Sequence, residues 1–398
     1  VGVATVALYL IFARRGRTFQ FFLCHHKGGA GCFARLLKTA LSAQKSIRTD
    51  GVFLDLDNLT NLNMLFGCVE NDVDNLVVIC SRDVLTRPWC LGEITTARLH
   101  DVKVHVIEFP DFSWPEDPND SESATDMSNL SQFGITREMV LDTLAWLSRL
   151  PSLRIPLILT SALVDNLVRQ LIAIGLSETA HEYNHSGVVD SETVVVVDPT
   201  NLEAMSTAIL IERLLFPLTL HAPTKLPQLM TVGLPLPSCV EQILVLCSNS
   251  CFSQPHVVSC LIDAAKRSLA VIPIIIETNF RFPSESMTCE LRLSAQPVLD
   301  MLQADVGADA YTRVVQDVFQ EIGVMIQPSD TSATMGLLKI RAAELAKRLA
   351  RPMARFRALT DRPVAVDAPL SLLDGRVPCG DPSMEEIDHD HPLNLVEL

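Results

Sequence analysis

The chain has 398 residues, enough for two or three domains, and at 48% hydrophobic against 20% charged residues it can fill substantial cores. That balance excludes a disordered chain, and Gly and Pro are too sparse and unperiodic for collagen-like or mucin-like classes. With 32 Lys and Arg against 47 Asp and Glu, net −15, the chain lacks the basic stripe that binds nucleic-acid phosphates, so no nucleic-acid partner is expected.

Residues 1–12 form an uncharged apolar run followed at once by Arg14, Arg15 and Arg17. Twelve residues do not span a bilayer. The chain begins at Val1 rather than Met, so the run fits the end of a truncated transmembrane helix with the arginines on the cytoplasmic side. It fits a buried helix or strand equally well. Next come a strand at 18–23, the loop His25-His26-Lys27-Gly28-Gly29-Ala30-Gly31, and a helix with Phe33, Leu36, Leu37, Ala40 and Leu41 on one face. A strand at 52–54 ends in Asp55; a helix near 62–69, a strand at 76–79, a helix near 85–99 and a strand at 102–107 follow. The polar stretch 116–131 reads as a loop and 136–175 as helical, interrupted by Pro151 and Pro156. Short apolar strands alternating with helices predict an α/β fold, a doubly wound parallel sheet flanked by helices.

The second half repeats the first. A shift of 167 lays residues 75–108 on 242–275 without a gap, and Val78, Cys80, Ser81, Pro88, Ala97, Val104 and Ile107 meet identical residues. Upstream, a strand at 194–197 and a helix around 204–215 mirror the first strand and helix. The shared order points to a diverged internal duplication. The expected organisation is a membrane-proximal segment at 1–17, lobes at 18–178 and 190–355, and a tail at 356–398. A Ser-, His- and Asn-rich linker occupies 178–191. The tail carries nine acids but only Arg362 and Arg376 from residue 358 onward, and reads as solvated and disordered.

The eleven cysteines form no CxxC pair, and Cys24, Cys80 and Cys247 each end an apolar run. They read as reduced core thiols in a cytosolic protein. No metal set is expected: Cys247 and Cys251 lack a matching pair, and adjacent His25 and His26 do not both reach one ion without a third ligand.

In a flavodoxin-like strand order of 2-1-3-4-5, ligands bind between the carboxyl ends of the first and third strands. The residues there are 24–31 and 81–93. The first loop offers Lys27 and backbone N–H groups freed by three glycines at a helix start, a setting for phosphate or merely a turn that needs small residues. The second carries Arg87-Pro88-Trp89-Cys90-Leu91-Gly92-Glu93. A carboxylate beside an aromatic in a cleft stabilises an oxocarbenium-like centre; the competing reading makes Glu93 a first-turn acid favoured by the helix dipole. A receiver domain is excluded because His25 and His26 stand where its magnesium-binding acids would be, and a serine hydrolase because no GxSxG elbow occurs.

The segments Phe21-Phe22-Leu23-Cys24-His25-His26-Lys27, Val52-Phe53-Leu54-Asp55, 76–81 and Trp89-Cys90-Leu91-Gly92-Glu93 together resemble a Toll/interleukin receptor (TIR) domain. The resemblance covers residues 18–110, with a faded copy at 190–280. It implies a pair of tandem flavodoxin-like domains and signal transduction by self-association with other TIR domains, homotypic or heterotypic, on the cytoplasmic face of a membrane or free in the cytoplasm. One branch of that family cleaves NAD at the nicotinamide–ribose bond. By resemblance Glu93 is its catalytic glutamate. Cys24, His25, His26, Lys27, Gly29, Asp55, Trp89 and Cys90 would line the NAD pocket, with NAD a substrate rather than a bound cofactor. The chain departs from the pattern in three places. Cys24 replaces the usual Ser, the loop 56–63 lacks Arg-Asp and Pro-Gly, and the second lobe has His256 and Cys260 at the tryptophan and glutamate positions. The second lobe is therefore expected to be catalytically silent. The alternative is a non-catalytic interaction scaffold.

Overall fold

The computed structural model describes residues 17–58, 64–115, 128–176, 191–219, 226–351 and 355–356. The segment 1–12, the linker at 178–190 and the tail from 358 lie outside them. Among the described residues, no helix is long and apolar enough to cross a membrane.

Two five-stranded parallel sheets carry the architecture. The first contains β1 (Phe19–His25), β2 (Val52–Phe53), β3 (Val73–Cys80), β4 (Lys103–Glu108) and β5 (Ser152–Arg154), in the order β2-β1-β3-β4-β5. The second contains β6 (Thr193–Val196), β7 (Gln228–Leu229), β8 (Gln242–Cys247), β9 (Ala270–Ile275) and β10 (Val324–Met325). Its order, β7-β6-β8-β9-β10, is the same topology, with every named pairing parallel. Each sheet therefore reverses strand order between its first and third strands, a flavodoxin-like doubly wound arrangement.

The helices of the first lobe are α1 (Lys27–Ser42), α2 (Asp55–Asn58), α3 (Leu65–Asp72), α4 (Pro88–Leu99), α5 (Ser128–Ser131), α6 (Arg137–Leu147) and α7 (Ser161–Leu176). Those of the second are α8 (Leu202–Thr219), α9 (Pro255–Lys266), α10 (Glu285–Met301), α11 (Ala308–Val318) and α12 (Met335–Leu349). The 167-residue shift holds element by element. A 3-10 turn at Val84–Thr86 matches Cys251–Ser253, and α4 matches α9, each opened by a proline at its first position. β4 matches β9. Even the left-handed residues that end the two helices correspond, Asp101 at φ 52° and Ser268 at φ 53°.

Buried strands alternate their side chains between two cores. Phe21, Leu23, Val77 and Ile79 face one cluster, Phe22, Cys24, Leu76 and Val78 the other. In the second lobe Leu244 and Leu246 join that first cluster, while Ile243, Val245 and Cys247 face a third. One apolar cluster thus runs through both lobes, with α1 packed on α8 and its Leu37 and Leu41 sharing the cluster with Ala208 and Ile211. Each such leucine contributes roughly 1.5–3 kcal/mol of burial.

Several expectations need correcting. β1 extends through Cys24 and His25, which the sequence placed in the following loop. Parallel pairing of Cys24 with Val78 and His25 with Ile79 holds them in the sheet. The region read as helical at 136–175 contains the edge strand β5, paired at Ile107–Leu153. Of the stretch read as a loop at 116–131, residues 128–131 are helical and the remainder lies outside the described residues. Every cysteine among the described residues is a free thiol.

Candidate functional site

The carboxyl ends of β1 and β3 meet the start of α4, and this junction assembles the first lobe's candidate site. Cys24 comes from β1; Cys90 and Glu93 come from α4 with i,i+3 spacing, which puts both on one helical face. The two Sγ atoms and a Glu93 carboxylate oxygen lie within 4.8 Å of one another. All three residues are buried, Cys24 at 1% and Glu93 at 6% exposure. The Cys90 thiol points to the His25 carbonyl at 3.4 Å, and Glu93 Oε2 has no hydrogen-bond partner. Three such donors in one spot are also a set that could hold a metal ion.

Gly92 makes this depth possible. A Cβ there would lie 2.3 Å from Phe66 Cζ, so α3 and α4 approach closely only because position 92 is glycine. Trp89 is half-buried in an aromatic group, 5.6 Å from Phe66 and 6.0 Å from Phe133 between ring centroids. It therefore packs as part of the wall beside the carboxylate.

Burial governs the electrostatics. Desolvation pushes the Glu93 carboxyl up to about 8, with Asp55 adding to the rise and the Cys24 thiol and Lys27 opposing it. The Cys24 thiol is pushed well up, mainly by burial, with Cys90 and Glu93 adding to it. Glu93 is thus a neutral acid near pH 7 until a positive charge arrives. It lies in the second turn of α4, whose first turn carries no acid, so it is not the first-turn acid of the competing reading.

Around this core sit the remaining residues of the set. His25 is buried, its Nδ1 3.1 Å from the Leu23 carbonyl and its Nε2 3.9 Å from Asp55, and burial lowers its pKa. Lys27 reaches Asp55 at 3.2 Å on the exposed side. His26 is half-buried with Nδ1 unpartnered, and burial and Arg87 lower its pKa. Gly29 packs down on Ser81, whose Oγ would sit 3.1 Å from a Cβ at that position.

Several N–H groups of the glycine loop are already engaged, those of Gly29 and Ala30 by the His26 carbonyl. Ala30 (φ −149°, ψ 17°) breaks α1, so its regular part starts at Gly31. The N–H groups of Cys32 and Phe33 there donate to Glu203 of the second lobe, at 2.7 and 3.1 Å. The acceptor at this helix start is internal to the protein. Burial raises Glu203 to about 7 despite those bonds. Gly31 admits the other lobe, since a Cβ would stand 3.1 Å from that of Ser329. Farther along α1, fully buried Arg35 pairs with Asp57 at 2.9 Å and donates to the Pro328 carbonyl at 2.8 Å. No local sequence signal identifies Glu203 or the interlobe bond of Arg35, because Cys32 and Pro328 lie 171 and 293 residues from them.

The second lobe has none of the triad. Sheet register equates Cys24 with Val196, and the 167-residue shift equates Cys90 with Val257 and Glu93 with Cys260. All three are buried. A cavity of about 650 Å³ is lined from both lobes by Gly29, Arg82, Asp111, Asp198, Glu203 and Gln254 among others, and Glu93 is not part of its lining. Compared with known proteins, the chain matches no family model and no curated protein.

Proposed function

We propose that the chain is a two-lobed, TIR-like signalling protein whose first lobe cleaves NAD at the nicotinamide–ribose bond, with Glu93 as its catalytic residue. The observation that carries this reading is Glu93 itself: a buried carboxyl at the sheet's switch point, raised to about 8, with one oxygen unpartnered. A carboxyl in that state lacks only a nearby positive charge to become an ion. Breaking the bond between ribose C1′ and the pyridinium nitrogen sends the electron pair to nicotinamide and leaves positive charge on the sugar. The Glu93 carboxylate stabilises that charge until water adds at C1′ and gives up a proton. Trp89 and Phe66 form the apolar wall, while Lys27 and Asp55 form the polar rim.

A scaffold without catalysis is the second reading, and the 6% exposure of Glu93 favours it, since its carboxyl is closed off from solvent between β1 and α4. The deciding experiment measures nicotinamide release by the full chain at high protein concentration, because the lobes share a core. Wild type and Cys260→Ala are expected to turn over alike, and Glu93→Ala to fall at least about 100-fold. A folded, self-associating wild type that releases no nicotinamide leaves the scaffold reading standing.

A further inference from the structure

We propose that Cys24, Cys90 and Glu93 form a binding site for a single thiophilic cation of the Zn²⁺ type. Three observations converge on it. First, the donors are two sulfurs and one carboxylate oxygen, all buried, all within 4.8 Å of one another. Ligands about 2.3 Å from a shared tetrahedral ion stand about 3.7 Å apart, so an inward shift of about an ångström completes the set. Second, Glu93 Oε2 is buried without a partner, a state a protein interior rarely tolerates without a use.

The third observation is the second lobe. The same helix register and the same strand register there place Val196, Val257 and Cys260 at the three positions, all within apolar cores. The fold therefore does not need a sulfur-sulfur-carboxylate group at this junction. Two of the three donor positions became valine, so the set is absent as a unit.

Zn²⁺ suits the donors because it takes thiolate and carboxylate in tetrahedral geometry without redox chemistry. Two thiolates balance its charge, and Glu93 supplies the third bond. Three protein ligands leave a fourth position open. Binding displaces the two thiol protons, and the Glu93 proton where it is held, so affinity rises with pH. The site itself does not depend on the NAD reading. If that reading holds, occupancy ties up the Glu93 oxygen needed at the ribosyl cation and turns the lobe off.

The test uses the full chain, metal-stripped and kept reduced, in a Cys239→Ser/Cys289→Ser/Cys379→Ser background that removes the two thiols exposed among the described residues and the one beyond them. Co²⁺ is titrated as the spectroscopic probe and then displaced by Zn²⁺. One equivalent of Co²⁺ with a thiolate-to-cobalt charge-transfer band is expected, displaced stoichiometrically by Zn²⁺. Glu93→Gln should keep the band and weaken binding about tenfold. The triple variant Cys24→Val/Cys90→Val/Glu93→Cys, which copies the second lobe's residues, should fold and give no band. No band in the reduced protein, or an undiminished band in the triple variant, overturns the site. Nicotinamide release measured on the metal-free protein separates the two proposals. Turnover without metal binding sinks this inference alone, and metal binding without turnover sinks the NAD reading alone.

Discussion

The two lobes share a topology, a helix register and even a left-handed turn residue, yet one switch point holds a buried acid and two thiols while the other holds two valines and a cysteine. A fold constrains apolar volume at such a junction but not its chemistry. What differs between the lobes is therefore what the first lobe carries beyond folding, and the lobes act as controls for each other.

The largest contrast is expected in the pH dependence of stability. Glu93 is held at about 8 in the folded chain against 4.5 in its ordinary state. Below pH 4.5 it is protonated in both folded and unfolded chains and contributes nothing to pH dependence. Between 4.5 and 8 the unfolded chain loses the proton that the folded chain keeps, so stability falls as pH rises, by on the order of 5 kcal/mol for the whole shift. Above 8 the loss is complete. Glu93→Gln should flatten this slope, with the residual fall up to about 7 belonging to Glu203. Cys260, pushed up to about 12 by burial, stays neutral throughout, so Cys260→Ala should leave the slope unchanged. Denaturant midpoints of the three proteins from pH 5 to pH 8 check this, and parallel curves for wild type and Glu93→Gln would sink it.

Next in size is the helix approach. Gly92→Ala drives a methyl to 2.3 Å from Phe66 and should cost about 2–3 kcal/mol by overpacking. The equivalent Ser259 is exposed, and Ser259→Ala should stay within about 0.5 kcal/mol. Urea unfolding reads both, and equal costs would mean that the two helices are not packed as differently as the structure has them. The smallest effect should be the same in both lobes. Asp101→Gly and Ser268→Gly each relieve a left-handed non-glycine residue, and each should add about 0.5–1 kcal/mol. Thermal unfolding of the pair measures it, and unequal gains would break the equivalence of the two turns.

Much of this architecture was legible because its signals are local. Apolar runs such as Leu76 to Ile79 and the helical spacing of Phe33, Leu37 and Leu41 survive any reading frame of the fold. The strands β7 and β10 span two residues each, too short to leave a period, and β5 hides between prolines. The depth of Glu93 was not legible either. It depends on Phe66 and Phe133 closing over α4 from other segments, contacts that no local pattern encodes. The Glu203 clasp is the extreme case, a helix start completed from another lobe.

That clasp sets a timetable for the nascent chain. The carbonyl that receives the buried Arg35 guanidinium belongs to Pro328, 293 residues downstream. At ribosomal speeds of roughly 5–20 residues per second, α1 waits about 15–60 s after synthesis before its arginine and its helix start can both be satisfied. Until α8 (Leu202–Thr219) has been made, about 9–35 s at the same speeds, the apolar face of α1 destined for it has no cover. Ribosome stalling within the second lobe would prolong that exposure, although every residue of the first lobe has already been made.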